Sequence, residues 1–409
     1  MRGDGPCEAG TYVAEGEPRV CTDCSYGTFS TEPNAEACNA WTAHECDWDE
    51  ASVGTGTMDA TCQSRAFATD LPQGVWDWST RVVAIDSEDN VLVGGGWVPA
   101  LSTVGFLAKL GPAGEVLWIR ELENALEDLV VDSGDSVYSI SNREAGGTSG
   151  VDSVLTKHGL DGKPERRIDI GGPGIDEALT IAIGPDDAIY VGGRTEGDLF
   201  AANQGGFDAF VAKFDADRGL VWGVQFGTSE DDQVSDCAVG TDGTFALTTY
   251  SFGTSVDEVQ KRSTIDGGQI WSIDVESRRV ALDENGDVYG AAGAVLYKYA
   301  GDDGTEEWSW DVPQDGEEPA SVTDIAANPN GLVAVVLEGT TSITGAVFSF
   351  GYLVTSDGEP FDEWLAWWDQ TVDALALGDD AVVVVTDYYG PEDFGYYGPS
   401  VLESVFQYP

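Results

Sequence analysis

The chain has 409 residues, 42% of them hydrophobic and 10% aromatic, and its 73 acidic residues against 19 basic ones leave a formal charge of −54. So acidic a surface repels phosphate backbones and anionic lipid, which excludes nucleic acid as a partner and disfavours membrane surfaces. Aromatic and β-branched residues run throughout, unlike a disordered acidic polymer, and no apolar run is long enough to span a bilayer.

Residues 1–64 come first and carry six of the seven cysteines: Cys7, Cys21, Cys24, Cys38, Cys46 and Cys62. Few aliphatic residues accompany them, so a segment of this composition needs covalent staples in place of an oily core. Cys21 and Cys24 have the spacing of a zinc pair, but no second close pair follows, which favours disulfides over metal. Cysteines used in this way point to an extracellular or cell-surface setting. Met1 opens on polar sequence with no apolar signal core, and we read it as the start of a mature or truncated form. Arg2-Gly3-Asp4 is read as a chance tripeptide and His44 as a surface residue. Residues 65–73 form a short linker.

From residue 74 to 409 the pattern is strand after strand. A phrase of apolar strand, acidic turn and second apolar strand begins at Val82 and returns near Leu129, Ile181, Cys237, Val280, Ile325 and Leu375. Seven copies at this spacing point to a propeller or solenoid. The centre of the phrase is Ala84, Ala182, Ala238, Ala281, Ala326 and Ala376, with Val130 in the second copy, as a crowded innermost strand requires. Each copy continues with a third strand, a Gly/Asp turn and a fourth strand that usually carries tryptophan: Trp118, Trp222, Trp271, Trp308, Trp364. Four short strands per repeat predict an all-β, seven-bladed β-propeller behind a small disulfide-rich module, with the tryptophans packing one sheet on the next. The last copy lacks a fourth strand, and residues 74–79, which contain Trp76 and Trp78, are expected to supply it and close the ring.

Two stretches resemble known families. The features CEAGTY from Cys7, CTDCSYGTFS from Cys21, WTAHEC from Trp41 and TMDATC from Thr57 resemble a cysteine-rich repeat of the tumour necrosis factor receptor type. That resemblance implies the pairs Cys7–Cys21, Cys24–Cys38 and Cys46–Cys62, although a further family cysteine near residues 39–42 is missing. GGFDAFVAKFDADRGLVW, from Gly205 to Trp222, with DDAIYVGG before it, is similar to the bacterial seven-bladed β-propeller (SBBP) repeat. Members of that family are typically secreted or surface proteins without an assigned activity, and the resemblance implies the same here.

Candidates for chemistry are sparse. A Ser-His-Asp arrangement would have to use His158, which sits beside a turn and in no nucleophile elbow. No His-rich metal set is present, so the sequence gives no catalytic and no metal-ligating residues. Calcium is the one cofactor left open, at Asp283-Glu-Asn285-Gly-Asp287, where oxygen ligands alternate but no closing glutamate follows. Asp266 and Asp357 are read as turn formers. Cys237 stands in the register of Val83, Leu129, Ile181, Val280, Ile325 and Leu375, which makes it a buried hydrophobe and not a nucleophile.

The turns joining first to second and third to fourth strands are short and uniform. The opposite face varies, and its loop YYGPEDFGYYGP makes Tyr388, Tyr389, Phe394, Tyr396 and Tyr397 the candidate binding residues. The expected function is a secreted or cell-surface, non-enzymatic binding or structural protein. Its partners would be a protein or glycan outside the cell, with self-assembly open and neither nucleic acid nor membrane insertion involved. The alternative is a secreted carbohydrate-active hydrolase or lyase with acidic catalysts on the propeller axis.

Overall fold

The computed structural model describes residues 78–388 apart from 98–103, 113, 145–149, 216–218, 254–256, 313–320, 329–330, 341–346, 369 and 379–380, together with 11–13, 21–23, 28–29, 39–40, 64–67 and 399–405. The chain divides into two compact units, residues 67–401, and residues 1–66 with 402–409. In the smaller unit β1 (Thr11–Val13) pairs antiparallel with β2 (Cys21–Asp23), and β3 (Thr28–Phe29) pairs with β4 (Asn39–Ala40). The implied cysteine pairings lie outside the described residues.

The larger unit is a β-propeller. Its first blade is β6 (Trp78–Ile85), β7 (Val91–Trp97), β8 (Val104–Leu110) and β9 (Val116–Leu122). The second is β10 (Leu126–Val131), β11 (Val137–Glu144), β12 (Val151–His158) and β13 (Pro164–Ile170). The third is β14 (Asp176–Ile183), β15 (Ile189–Thr195), β16 (Asp208–Asp215) and β17 (Gly219–Phe226). The fourth is β18 (Asp231–Val239), β19 (Thr244–Phe252), β20 (Asp257–Ser263) and β21 (Gln269–Asp274). The fifth is β22 (Val280–Leu282), β23 (Val288–Ala292), β24 (Val295–Tyr299) and β25 (Glu306–Asp311). The sixth is β26 (Ser321–Ala327), β27 (Leu332–Thr340), β28 (Val347–Thr355) and β29 (Pro360–Trp368).

Blades built wholly from consecutive strands therefore number six and not the seven counted from the repeat. The remaining sheet has the order β30 (Gln370–Leu377), β31 (Ala381–Tyr388), β32 (Pro399–Val405), β5 (Ser64–Phe67). Its fourth place is thus held by 64–67 and not by 74–79. Trp78 and Ser79 open β6 instead. The innermost strands β6, β10, β14, β18, β22, β26 and β30 lie each against the next, and β30 returns to β6.

The sequence repeats explain the packing. Apolar residues alternating along β15 and β16 (Ile189, Val191, Phe210, Ala212, Phe214) pack onto Tyr138, Ile140 and Leu155 of the preceding blade, and similar layers fill the other junctions. Fourth-strand tryptophans fasten neighbours as expected. The indole Nε1 of Trp118 donates to Leu160 O (3.1 Å), Trp222 to Thr264 O (3.2 Å), Trp271 to Gly301 O (3.1 Å) and Trp308 to Ser356 O (2.9 Å), each in the third-to-fourth turn of the next blade. A glycine in the left-handed region lies under each ring, for instance Gly162 (φ 75°), where an added Cβ would fall 2.4 Å from Trp118. Gly162→Ala should therefore cost about 2 kcal/mol or more, from the unfavourable backbone plus displacement of the ring. Urea denaturation of the variant checks it.

The first-to-second turns interlock as well. Asp135 and Asp187, both at positive φ, accept from the backbone N–H and hydroxyl of Ser87 and Ser133 in the preceding blade, at 2.7–2.9 Å. Five of the six lysines lie on third strands and reach the acidic turn of their own blade: Lys109 to Asp86, Lys157 to Asp132, Lys213 to Asp186, Lys261 to Asp242, and Lys298 to Asp283 and Asp287. Tyr138, Tyr190 and Tyr289 lie beneath three of these ammonium groups. Most of the lysine charge is thus consumed inside the blades.

Candidate functional site

Six of the seven innermost strands, all but β22, carry the same irregularity. Pairing with the second strand shifts by one residue between Thr80 and Val82, and again before Asp128, Thr180, Asp236, Asp324 and Ala374. A β-bulge of this kind bends the strand and re-aims the side chain beside it. The position it serves, one residue before the register of Cys237, reads Val82, Asp128, Thr180, Asp236, Arg279, Asp324 and Ala374 around the ring. Three carboxylates on alternate blades and one guanidinium therefore share a layer on the innermost strands.

Each carboxylate works in the same way. Asp128 accepts from the N–H of Leu129 (2.8 Å) and, across the blade junction, from Ile181 (2.9 Å). Asp236 accepts from Cys237 and Val280, both at 2.9 Å, and Asp324 from Ile325 (3.0 Å) and Leu375 (2.9 Å). Every oxygen of the three thus holds a backbone amide, one of its own strand and one of the next. Amides in the interior need partners, and the aspartates supply them. Arg279 lies 3.3 Å from Asp324, and its charge also acts on Asp236 and Asp128, so the three acids converge on it.

The electrostatics follow from burial and crowding. Burial is the main force lifting Asp128 to about 7, and the like charge of Asp236 adds to it. Asp236 is raised to about 6, again by burial, with Arg279 opposing. Asp324 is also raised by burial, with Arg279 opposing, and Arg279 is held above its ordinary value by the acids around it. A catalytic carboxylate needs a lone pair directed at substrate. Here both oxygens of each acid are engaged by the backbone, so the layer is built to fasten blades.

His158 is also accounted for. Its Nδ1 donates to Gly162 O (3.2 Å), and in that tautomer Nε2 accepts from the Ser139 hydroxyl (2.8 Å). Both residues are almost fully buried, and burial lowers the imidazole to about 4. No carboxylate meets Nδ1, so no triad is assembled. Arg262 fills the equivalent place in the fourth blade and donates to the turn carbonyl of Gly267 at 2.9 Å, which identifies the position as a turn clamp. Cys237 is buried, as its register implied, with its thiol pushed up by burial. At Asp283–Asp287 the ammonium of Lys298 bridges the two carboxylates (3.4 and 2.9 Å), and Asp283 also accepts from Tyr289. The residues do not fit calcium, because Lys298 already supplies the cation. Tyr388 ends β31, whereas Tyr389, Phe394, Tyr396 and Tyr397 lie outside the described residues.

The axial aspartates were not found from sequence. Their signal is a charged residue inside an otherwise apolar phrase, recurring in alternate copies.

No protein-family model matches the chain. Over 100 residues, 22% of its length, it is 34% identical to the regulatory protein FlaEY of Caulobacter vibrioides, and that segment covers 10% of FlaEY. Among solved structures it is similar to a chain of the mitotic checkpoint complex, at 10% identity and a TM-score of 0.54, over 84% of this chain and 94% of the other. BamB from Moraxella catarrhalis (12% identity, TM-score 0.46, 79% and 85% covered) and the Dos1 propeller (10%, 0.48, 84% and 95%) are more distant in shape. Likeness at such identities concerns the fold, an all-β propeller.

Proposed function

We infer that the protein is a non-enzymatic interaction scaffold, secreted or on the cell surface, that engages a protein partner through the outer rim of its propeller. The observation that carries this reading is where the large exposed apolar side chains fall. Val116 and Leu117 on β9 flank Trp118, whose indole reaches the turn of the exposed Leu160. Leu220 and Val221 on β17 flank Trp222, bound to the turn of Ile265, which is 84% exposed, and Ile270 follows on β21. Single exposed hydrophobes are ordinary, but recurrence on the outermost strands β9, β17 and β21 and in the turns beside them is the mark of a binding surface. β9, β17 and β21 are last in their sheets and keep an unpaired edge beside these side chains.

The remaining parts of the reading have separate support. The cysteine-rich composition of residues 1–64, the resemblances to a receptor-type repeat and a bacterial propeller repeat, and the acidic composition suit life outside the cell. A glycan partner belongs to the same class of function.

The test compares wild type with Leu117→Asp/Leu160→Asp/Ile265→Asp. Immobilised wild-type protein is expected to retain one protein from the culture medium or envelope fraction of its source in stoichiometric amount, and the variant to lose it at an unchanged melting temperature. Equal retention by both, or retention of a defined glycan on an array with no protein, overturns the protein-binding rim. Antibody labelling of intact cells and medium checks the location.

A further inference from the structure

On the basis of that protein-binding rim, we propose that β17, the outermost strand of the third blade, takes up an extended basic segment of a protein partner as a fifth strand. β17 pairs with β16 along one side. Among the described residues, no backbone group of 219–226 has a backbone partner beyond the sheet. About half of its N–H and C=O groups therefore face outward, with water alone to satisfy them.

Every blade ends on such an edge, and proteins protect their edges with charge, proline or bulges. The six blades of consecutive strands share a bulge where the fourth strand begins. Charge separates them. Arg120 stands on β9, Arg167 on β13, Asp274 on β21, Glu307 on β25 and Glu363 on β29, and Arg65 stands on β5 of the last sheet. β13 and β29 also open on proline. β17 reads GLVWGVQF, 8 residues with neither charge nor proline. On it Leu220 and Val221 are 53% and 54% exposed. A long, uncharged, apolar edge is the kind that accepts a further strand, through main-chain hydrogen bonds that need no particular sequence.

Charge also selects the occupant. Glu230 and Asp231 are exposed just past the strand, and Asp266 is exposed in the neighbouring turn whose Gly267 lies against Val224. Residues 215–218, just before it, carry two acids and one base. A second copy paired antiparallel along β17 would set a charge of −54 against its equal and lay these acidic flanks on one another. A segment that combines lysine or arginine with apolar side chains meets the carboxylates with the first and Leu220 and Val221 with the second.

Fluorescence anisotropy of a labelled eight-residue peptide alternating lysine and valine, matched to the length of β17, tests the edge on the full chain. The salt is held at about 150 mM, where loose attraction to the acidic surface is screened. Two control probes accompany it. One is the same peptide with alternate backbone amides methylated, which keeps its charge and loses main-chain donors; the other replaces lysine with glutamate. The first peptide should saturate at one site per chain, and both controls should bind about tenfold or more weakly. Its binding should slow hydrogen exchange along 219–226 and along no other outermost strand. Leu220→Lys/Val221→Lys, at two exposed positions, should weaken the peptide about tenfold or more at an unchanged melting temperature. If that variant fails to fold, the exchange map on the wild type carries the same test. Absence of saturation, equal binding of the methylated peptide, protection on another strand, equal affinity in the folded variant, or a wild-type dimer that the lysine pair dissolves would overturn strand addition by a basic segment. The rim itself is judged separately, by retention of the source's protein on wild type and its loss from the triple aspartate variant, so that retention without peptide binding condemns the β17 edge alone.

Discussion

Arg279→Met should destabilise the propeller by about 2–3 kcal/mol at pH 8, and by clearly less at pH 5. Removing one member of a buried ion pair typically costs about 3–5 kcal/mol, because the other charge is left uncompensated. Here 39% of the arginine side chain and 20% of Asp324 remain accessible, so water screens part of the loss. The dependence on pH comes from the number of acids that face Arg279. It lowers Asp324, Asp236 and Asp128 together, and without it the three repel one another wherever they are ionised. Protonation at pH 5 relieves that repulsion, so the variant recovers. Denaturant melts of both proteins at the two pH values measure the difference. Equal losses at both would show that Arg279 acts through packing of its stem and not through charge.

The same layer shows where sequence reading succeeds and where it stops. The innermost phrase, the buried place of Cys237 and the packing role of Trp118, Trp222, Trp271 and Trp308 were all legible, because each rests on a local period or on a residue type with a single good environment. Asp128, Asp236 and Asp324 were missed for a reason of chain geometry. They lie scores of residues apart in sequence, and among 73 acids only the bulge and the ring bring these three to one level. The last blade misled in a related way. Residues 74–79 resemble a fourth strand in composition, yet Trp78 continues into β6, and pairing partners are not written in composition. The clamp that His158 forms with Gly162 becomes visible only beside Arg262 and Gly267.

Asp128→Asn should alter the stability profile in one direction only: the variant gains on the wild type as pH rises from about 4.5 to 7.5. An acid whose folded value is raised holds its proton in the folded state after the unfolded chain, near 3.9, has released it. Its contribution is complete below that unfolded value and is lost as pH climbs through the folded value, about 7 for Asp128 and about 6 for Asp236. The limiting slope is roughly 1.4 kcal/mol per pH unit for each group. His158 works the other way between its lowered value, about 4, and its ordinary range, since the unfolded chain gains a proton that the buried imidazole refuses. The wild-type curve therefore sums opposing slopes, and the difference between the two proteins isolates Asp128. Asparagine keeps one carbonyl for either Leu129 or Ile181 but cannot accept from both, which makes the variant the weaker protein at low pH. Because the limiting slope holds over only part of the window, the gain across it should be about 2–3 kcal/mol. A difference curve that stays flat from pH 5 to 7.5 would mean that Asp128 titrates as an ordinary surface acid, and that the layer fastens its blades without straining them.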